Sequence, residues 1–138
     1  MAPPVERPNA FQRADSVWQS FRFAGQGFLY ALKTQRNLRI HLVVLAGVFS
    51  LAYWLGVSAV RWGILLVVAS LVIMAELFNT AIEVTVDLVS PEFHPLAKIA
   101  KDIAAAGVLV AASLAFITGL VVFGPALIYR LVGVNVGF

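Results

Sequence analysis

The chain contains no cysteine, which removes disulfides, thiolate metal sites and a cysteine nucleophile from consideration. Charge is scarce: Asp, Glu, Lys and Arg make up 12% of 138 residues, against about 25% in an ordinary soluble domain. A Walker A sequence, a dinucleotide fingerprint and a protein-kinase signature are also missing. What is present is apolar. Hydrophobic residues account for 61% of the chain, and the mean hydropathy is +0.91. This excludes a water-soluble globular domain, a disordered tail and a nucleic-acid-binding module. The expectation is one integral membrane domain over residues 1–138. The net charge of +3 bears on topology more than on partners. No cleavable signal is expected, because the first apolar stretch starts near Leu42.

Three stretches lack charge: Leu42–Val60, Trp62–Ala75 and Ile103–Tyr129. A spanning helix needs about 20 mostly apolar residues, so the first and third suffice alone. The second is long enough only if Glu76 and Glu83 are carried inside it. Gly56-Val57-Ser58 reads as the turn after the first span, and Ser90-Pro91 as the stop of the second. Gly124-Pro125 is expected to fray or kink the third near its end. Earlier in the chain, Phe11, Ala14, Trp18, Phe21, Gly25, Phe28 and Leu32 recur at spacings of three and four, one helical face. This predicts an amphipathic helix lying in the membrane interface. The fold class expected is therefore all-α integral membrane: residues 1–10 disordered, a surface helix over 11–36, and transmembrane helices over 38–57, 61–89 and 98–124.

Orientation follows from Lys and Arg. Arg7, Arg13, Arg22, Lys33, Arg36, Arg39, Lys98 and Lys101 lie on the side of the N-terminus and the 89–98 loop, against Arg61 and Arg130 on the other. That bias places the N-terminus in the cytoplasm. Trp18, Trp54 and Trp62 read as interface anchors.

Glu76, Asn79, Glu83 and Asp87 are spaced three, four and four residues apart, which lines them along one stripe of the second span. Ionisable groups at membrane depth are expensive and mark function. Glu76 lies about 21 Å along the helix from Trp62, so the stripe occupies the cytoplasmic half. Such a position suits a water-soluble anion with its divalent metal meeting a substrate held in lipid. The structural alternatives are headgroup-solvated acids and ion pairs with Lys98 or Lys101. Lys98, Lys101 and Asp102 share a face at the start of the third span. The Lys101–Asp102 pair beside Ala104-Ala105-Ala106-Gly107 suggests close helix approach around a cation. Arg36, Arg39 and His41 read by default as headgroup contacts, His94 as a solvated loop residue, and Gly25 and Gly27 as close-packing positions.

The run Glu76-Leu-Phe-Asn79-Thr-Ala-Ile-Glu83-Val-Thr-Val-Asp87, followed by Glu92-Phe93-His94 and Ala100-Lys101-Asp102, resembles the signature of the prokaryotic diacylglycerol kinase and undecaprenol kinase family. The resemblance implies a homotrimer in the bacterial inner membrane, transferring the γ-phosphate of ATP, with Mg²⁺, to a lipid alcohol at the cytoplasmic interface. It implies that Glu76 is the general base and that Asn79 orients groups near the reacting phosphate. Glu83 would bind the metal. Asp87, Glu92, His94, Lys101 and Asp102 would surround the nucleotide, with Phe23 bordering it. One departure stands out: Lys33-Thr34-Gln35-Arg36-Asn37 carries Gln35 where the family has a metal-binding glutamate. Gln35 keeps an oxygen ligand but loses a charge. Arg36–His41 and Pro91–Leu96 look more like the undecaprenol kinase branch, with diacylglycerol as the rival substrate. Two readings from other classes stay open: a cation-conducting oligomer lined by the acids, and a non-catalytic assembly protein derived from the family.

Overall fold

The computed structural model describes residues 16–132. The disorder expected for 1–10, and the expected helical positions of Phe11, Arg13 and Ala14, lie outside the described residues. Four helices follow in order: α1 (Val17–Thr34), α2 (Arg36–Leu55), α3 (Ala59–Val89) and α4 (Pro95–Val132). The last three are long and apolar enough to cross a membrane. The all-α class with three spans after an amphipathic helix is thus the architecture found.

α1 begins at Ser16, whose hydroxyl accepts from the Gln19 amide, a standard N-cap. Its apolar stripe is covered only towards the C-terminal end. Ala31 is buried and Phe28 and Leu32 are half-buried, whereas Trp18 and Phe21 are exposed. Nothing approaches the Cβ positions of Gly25 or Gly27 within 4 Å, so these glycines do not serve close packing within the chain. One residue, Gln35, separates α1 from α2. Its backbone is extended (φ −96°, ψ 114°), and its amide donates to Ala31 O at 2.8 Å. Arg39 ties the joint from the other side, donating to the carbonyls of Lys33 and Leu32.

α2 ends at Gly56 with φ 66° and ψ 39°, the left-handed region open to glycine without a Cβ penalty. Gly56 N–H donates to Tyr53 O and Val57 N–H to Ala52 O. This is a Schellman termination, completed by apolar contact: Ala52 and Val57 share a core cluster with Leu65, Val122 and Phe123. Trp62 belongs to this cluster's border and stacks on Phe49 at 5.8 Å. It is therefore partly packed inward rather than a free interface anchor. Trp54 keeps an exposed ring, with the Arg130 guanidinium 4.2 Å from its centroid.

α3 packs most extensively against α4. With 31 and 38 residues, these helices run about 46 and 57 Å, past the roughly 30 Å of a hydrocarbon core. α4 continues through Pro125 to Val132, so Gly124-Pro125 does not end it. Nothing lies within 4 Å of a Cβ at Gly107. The close approach expected for Ala104–Gly107 is therefore not made by Gly107 within the chain.

The turn makes a simple stability prediction. A Cβ at Gly56 would meet open space, so Gly56→Ala should cost about 1–2 kcal/mol through left-handed backbone strain alone. Reversible unfolding in detergent measures it, with an unchanged midpoint as the contrary result.

Candidate functional site

Burial falls steadily along the acidic stripe of α3. Glu76 is 1% exposed and Asn79 8%, Glu83 is half-buried, and Asp87 is exposed. The buried end therefore lies deepest in the span, and the exposed end opens towards the α3–α4 loop.

α2 meets this stripe in antiparallel register, as its tight turn into α3 requires. At its start, Gln35 Nε2 donates to Glu83 Oε2 at 2.9 Å. Six residues on, His41 Nε2 lies 3.2 Å from Glu76 Oε1. Leu38, midway between them, is fully buried. On α3 itself, Asn79 Nδ2 donates to Glu83 Oε1 at 2.9 Å. Glu83 thus takes one neutral amide on each oxygen. Thr80 donates its hydroxyl to Glu76 O, the backbone carbonyl rather than the carboxylate. The side-chain oxygen of Asn79 is buried with no hydrogen-bond partner.

A second group sits at the exposed end. Lys101 pairs with Asp87 and Lys98 with Asp102. Lys98 and Asp102 are four apart on one helix face, which lets them meet, whereas Lys101 turns to Asp87 on α3. The structural ion pair considered for the stripe exists, but only at Asp87. Glu92 and His94 occupy the connecting loop. Ser90 Oγ donates to the Glu92 carbonyl, and His94 Nδ1 accepts from the Leu96 amide at 3.2 Å, capping the start of α4. His94 is thus locally bonded, and it lines a hollow of about 520 Å³ with Val86 and Leu96. Phe23 is exposed on α1.

Among the described residues, no three His, Cys, Asp or Glu side chains converge on one point. The donors around Glu83 are nonetheless of one chemical kind. Its carboxylate, the orphaned Asn79 oxygen and the Gln35 amide are all hard oxygen ligands, the type that suits magnesium.

His41 is the partner of Glu76 that the sequence reading misses, since it reads there as a headgroup contact. The available signal was depth: counting outward from the Gly56 turn puts His41 within about one helical turn of Glu76. His41 also borders an apolar cavity of about 720 Å³, with Val44, Leu51, Phe116 and Phe123 among its other lining residues. It is the only polar side chain among the lining residues. Along α2 the cavity runs about 15 Å from His41 to Leu51.

Residues 22–123 match the family Prokaryotic diacylglycerol kinase. The chain is 44% identical over 127 residues to a diacylglycerol kinase of Synechocystis sp., covering 91% of this chain and 73% of that protein. It is 39% identical over 110 residues to an undecaprenol kinase of Bacillus subtilis, covering 80% of this chain and 89% of that protein. A diacylglycerol kinase of Pseudomonas aeruginosa is 37% identical over 92 residues, which cover 67% of this chain and 75% of that protein. The chain therefore belongs to the prokaryotic diacylglycerol kinase family, a family of membrane lipid kinases.

Proposed function

We propose that this chain transfers the γ-phosphoryl group of ATP to a membrane lipid alcohol at the cytoplasmic interface, with undecaprenol as the acceptor and diacylglycerol as the rival. The observation that carries this reading is Glu76, a carboxylate 1% exposed and 3.2 Å from His41, which itself borders an apolar cavity. A lipid hydroxyl reaching Glu76 from the apolar side meets a base shielded from water. Glu76 takes the hydroxyl proton, and the lipid oxygen bonds to the γ-phosphorus. The bond from that phosphorus to the β–γ bridging oxygen breaks, and ADP leaves.

Phosphoryl transfer relies on positioning and charge neutralisation rather than covalent catalysis. Glu83 would hold magnesium, with the amide oxygens of Gln35 and Asn79 able to contribute. Bound there, the metal would neutralise phosphate charge. Asn79 orients groups at the reacting phosphate. Lys101 exchanges Asp87 for a phosphate oxygen as a point charge. Asp87, Glu92, His94 and Asp102 surround the nucleotide, and Phe23 borders its approach. A site open on several sides suits completion by neighbouring subunits, and a homotrimer in the bacterial inner membrane is the assembly we infer. The Lys and Arg bias of eight against two puts the N-terminus and the α3–α4 loop in the cytoplasm.

The direct test is purified protein with γ-labelled ATP, supplied separately with undecaprenol and diacylglycerol, with and without Mg²⁺. Preferential labelling of undecaprenol is the expected result. Diacylglycerol labelling alone would reassign the substrate, and labelling of neither would overturn the kinase reading. Glu76→Gln should lower kcat by about 10²–10⁴-fold, the usual worth of general acid–base catalysis. Unfolding in detergent should show the variant still assembled.

Gln35→Glu places a carboxylate against Glu83. The Mg²⁺ concentration for half-maximal activity should fall by roughly tenfold, equivalent to about 1.4 kcal/mol. In EDTA the same variant should unfold more readily than the parent, since two facing carboxylates repel. A magnesium titration paired with thermal unfolding checks both signs.

A further inference from the structure

The geometry assigns His41 a positioning role: it holds the Glu76 carboxylate in the orientation that receives the lipid hydroxyl proton. This rests on the reading of Glu76 as the base and adds a residue to it.

Three observations support the assignment. His41 Nε2 lies 3.2 Å from Glu76 Oε1, and among the described residues no other ion pair or hydrogen bond reaches that carboxylate. Thr80, the nearest alternative on α3, bonds the Glu76 backbone instead. Second, His41 stands on a fixed element. Leu38, one turn earlier on α2, is 0% exposed, and Gln35 is bonded to Glu83, so the helix presents the ring in one register. Third, the ring has two faces to serve. One edge meets Glu76, and another borders the apolar cavity, whose other lining residues offer no hydrogen bond from a side chain. An imidazole spans that boundary where an aliphatic chain would leave the carboxylate without a partner.

A buried carboxylate with one contact can rotate once the contact is removed. A misplacement of about 1 Å at a reacting group can cost around 10²-fold in rate. His41 Nε2 stands against one oxygen of Glu76, Oε1, and leaves the other for the substrate. His41 itself need not touch the substrate for this role.

The test uses the full-length protein with His41→Phe and His41→Gln beside Glu76→Gln. Phenylalanine keeps bulk against the cavity and removes the donor; glutamine restores a neutral N–H. His41→Phe should lower kcat by about 10–100-fold while KM for MgATP stays within twofold, and His41→Gln should recover most of the loss. Unchanged kcat in His41→Phe, or a glutamine variant no better than phenylalanine, would overturn the role. A structural effect alone would raise KM for MgATP along with the loss of kcat. If His41→Phe fails to assemble, thermal unfolding of His41→Gln and Glu76→Gln, singly and combined, supplies a double-mutant cycle. Non-additive midpoints support the contact, and additive ones sink it. Should Glu76→Gln retain full activity, the base assignment itself fails, whatever the His41 variants do.

Discussion

Carrying a carboxylate inside an apolar helix is possible only when a neighbouring element meets it, because an unmatched polar group at membrane depth costs several kcal/mol. Here the neighbouring element is the first half of α2. The Gly56 turn brings α2 back along α3 without slack, so Gln35 reaches Glu83 and His41 reaches Glu76. Six residues on one helix answer seven on the other. That near-equality is what two antiparallel helices of the same rise allow. The break at Gln35 matters for the same reason. It ends α1 and starts α2 at the level of Glu83, so one residue is both a joint in the backbone and a partner of the acid stripe.

Much of this was legible from residue spacing. Charge gaps located three spans, the three-four-four spacing put Glu76, Asn79, Glu83 and Asp87 on one line, and Gly56 marked the first turn. The failures have physical causes. His41 was misread because its partner is 35 positions away, and helical periodicity within α2 carries no information about a contact on α3. Gly124-Pro125 reads as a fray or kink near the end of the third span, whereas α4 continues through Pro125 to Val132. Within a bilayer the freed carbonyls would find no water, so a helix tends to continue through proline and be satisfied by local adjustment. The partner of Lys101 is Asp87 on another helix, which spacing within α4 does not reveal.

The charges along α3 are handled in two ways. Asp87, at the exposed end, has a cationic partner in Lys101. Glu83 has two amide donors instead, one from Gln35 and one from Asn79. Neutral donors satisfy its oxygens without discharging them. Under the proposed function that difference is useful: the charge at Glu83 stays available for a metal, while Lys101 can release Asp87 for a phosphate. An exposed ion pair such as Lys101–Asp87 is worth about 0–1 kcal/mol, so exchanging it for a phosphate contact costs little.

The depth of Glu76 also bears on a difficulty common to kinases, the competing transfer of phosphate to water. Under the proposed function, a base 1% exposed, whose neighbour His41 borders an apolar cavity, is poorly placed to activate solvent. A hydroxyl carried on a hydrocarbon chain can approach from that side, whereas water reaching the base by the same route would have to leave its own hydrogen bonds. On the same reading the nucleotide, bearing several negative charges, would be confined to the opposite end, where the stripe becomes exposed and the lysines lie. The two substrates would then meet between Glu76 and Glu83, about two helical turns apart, and the burial gradient along one helix would discriminate a lipid alcohol from water before any specific contact to the lipid is made.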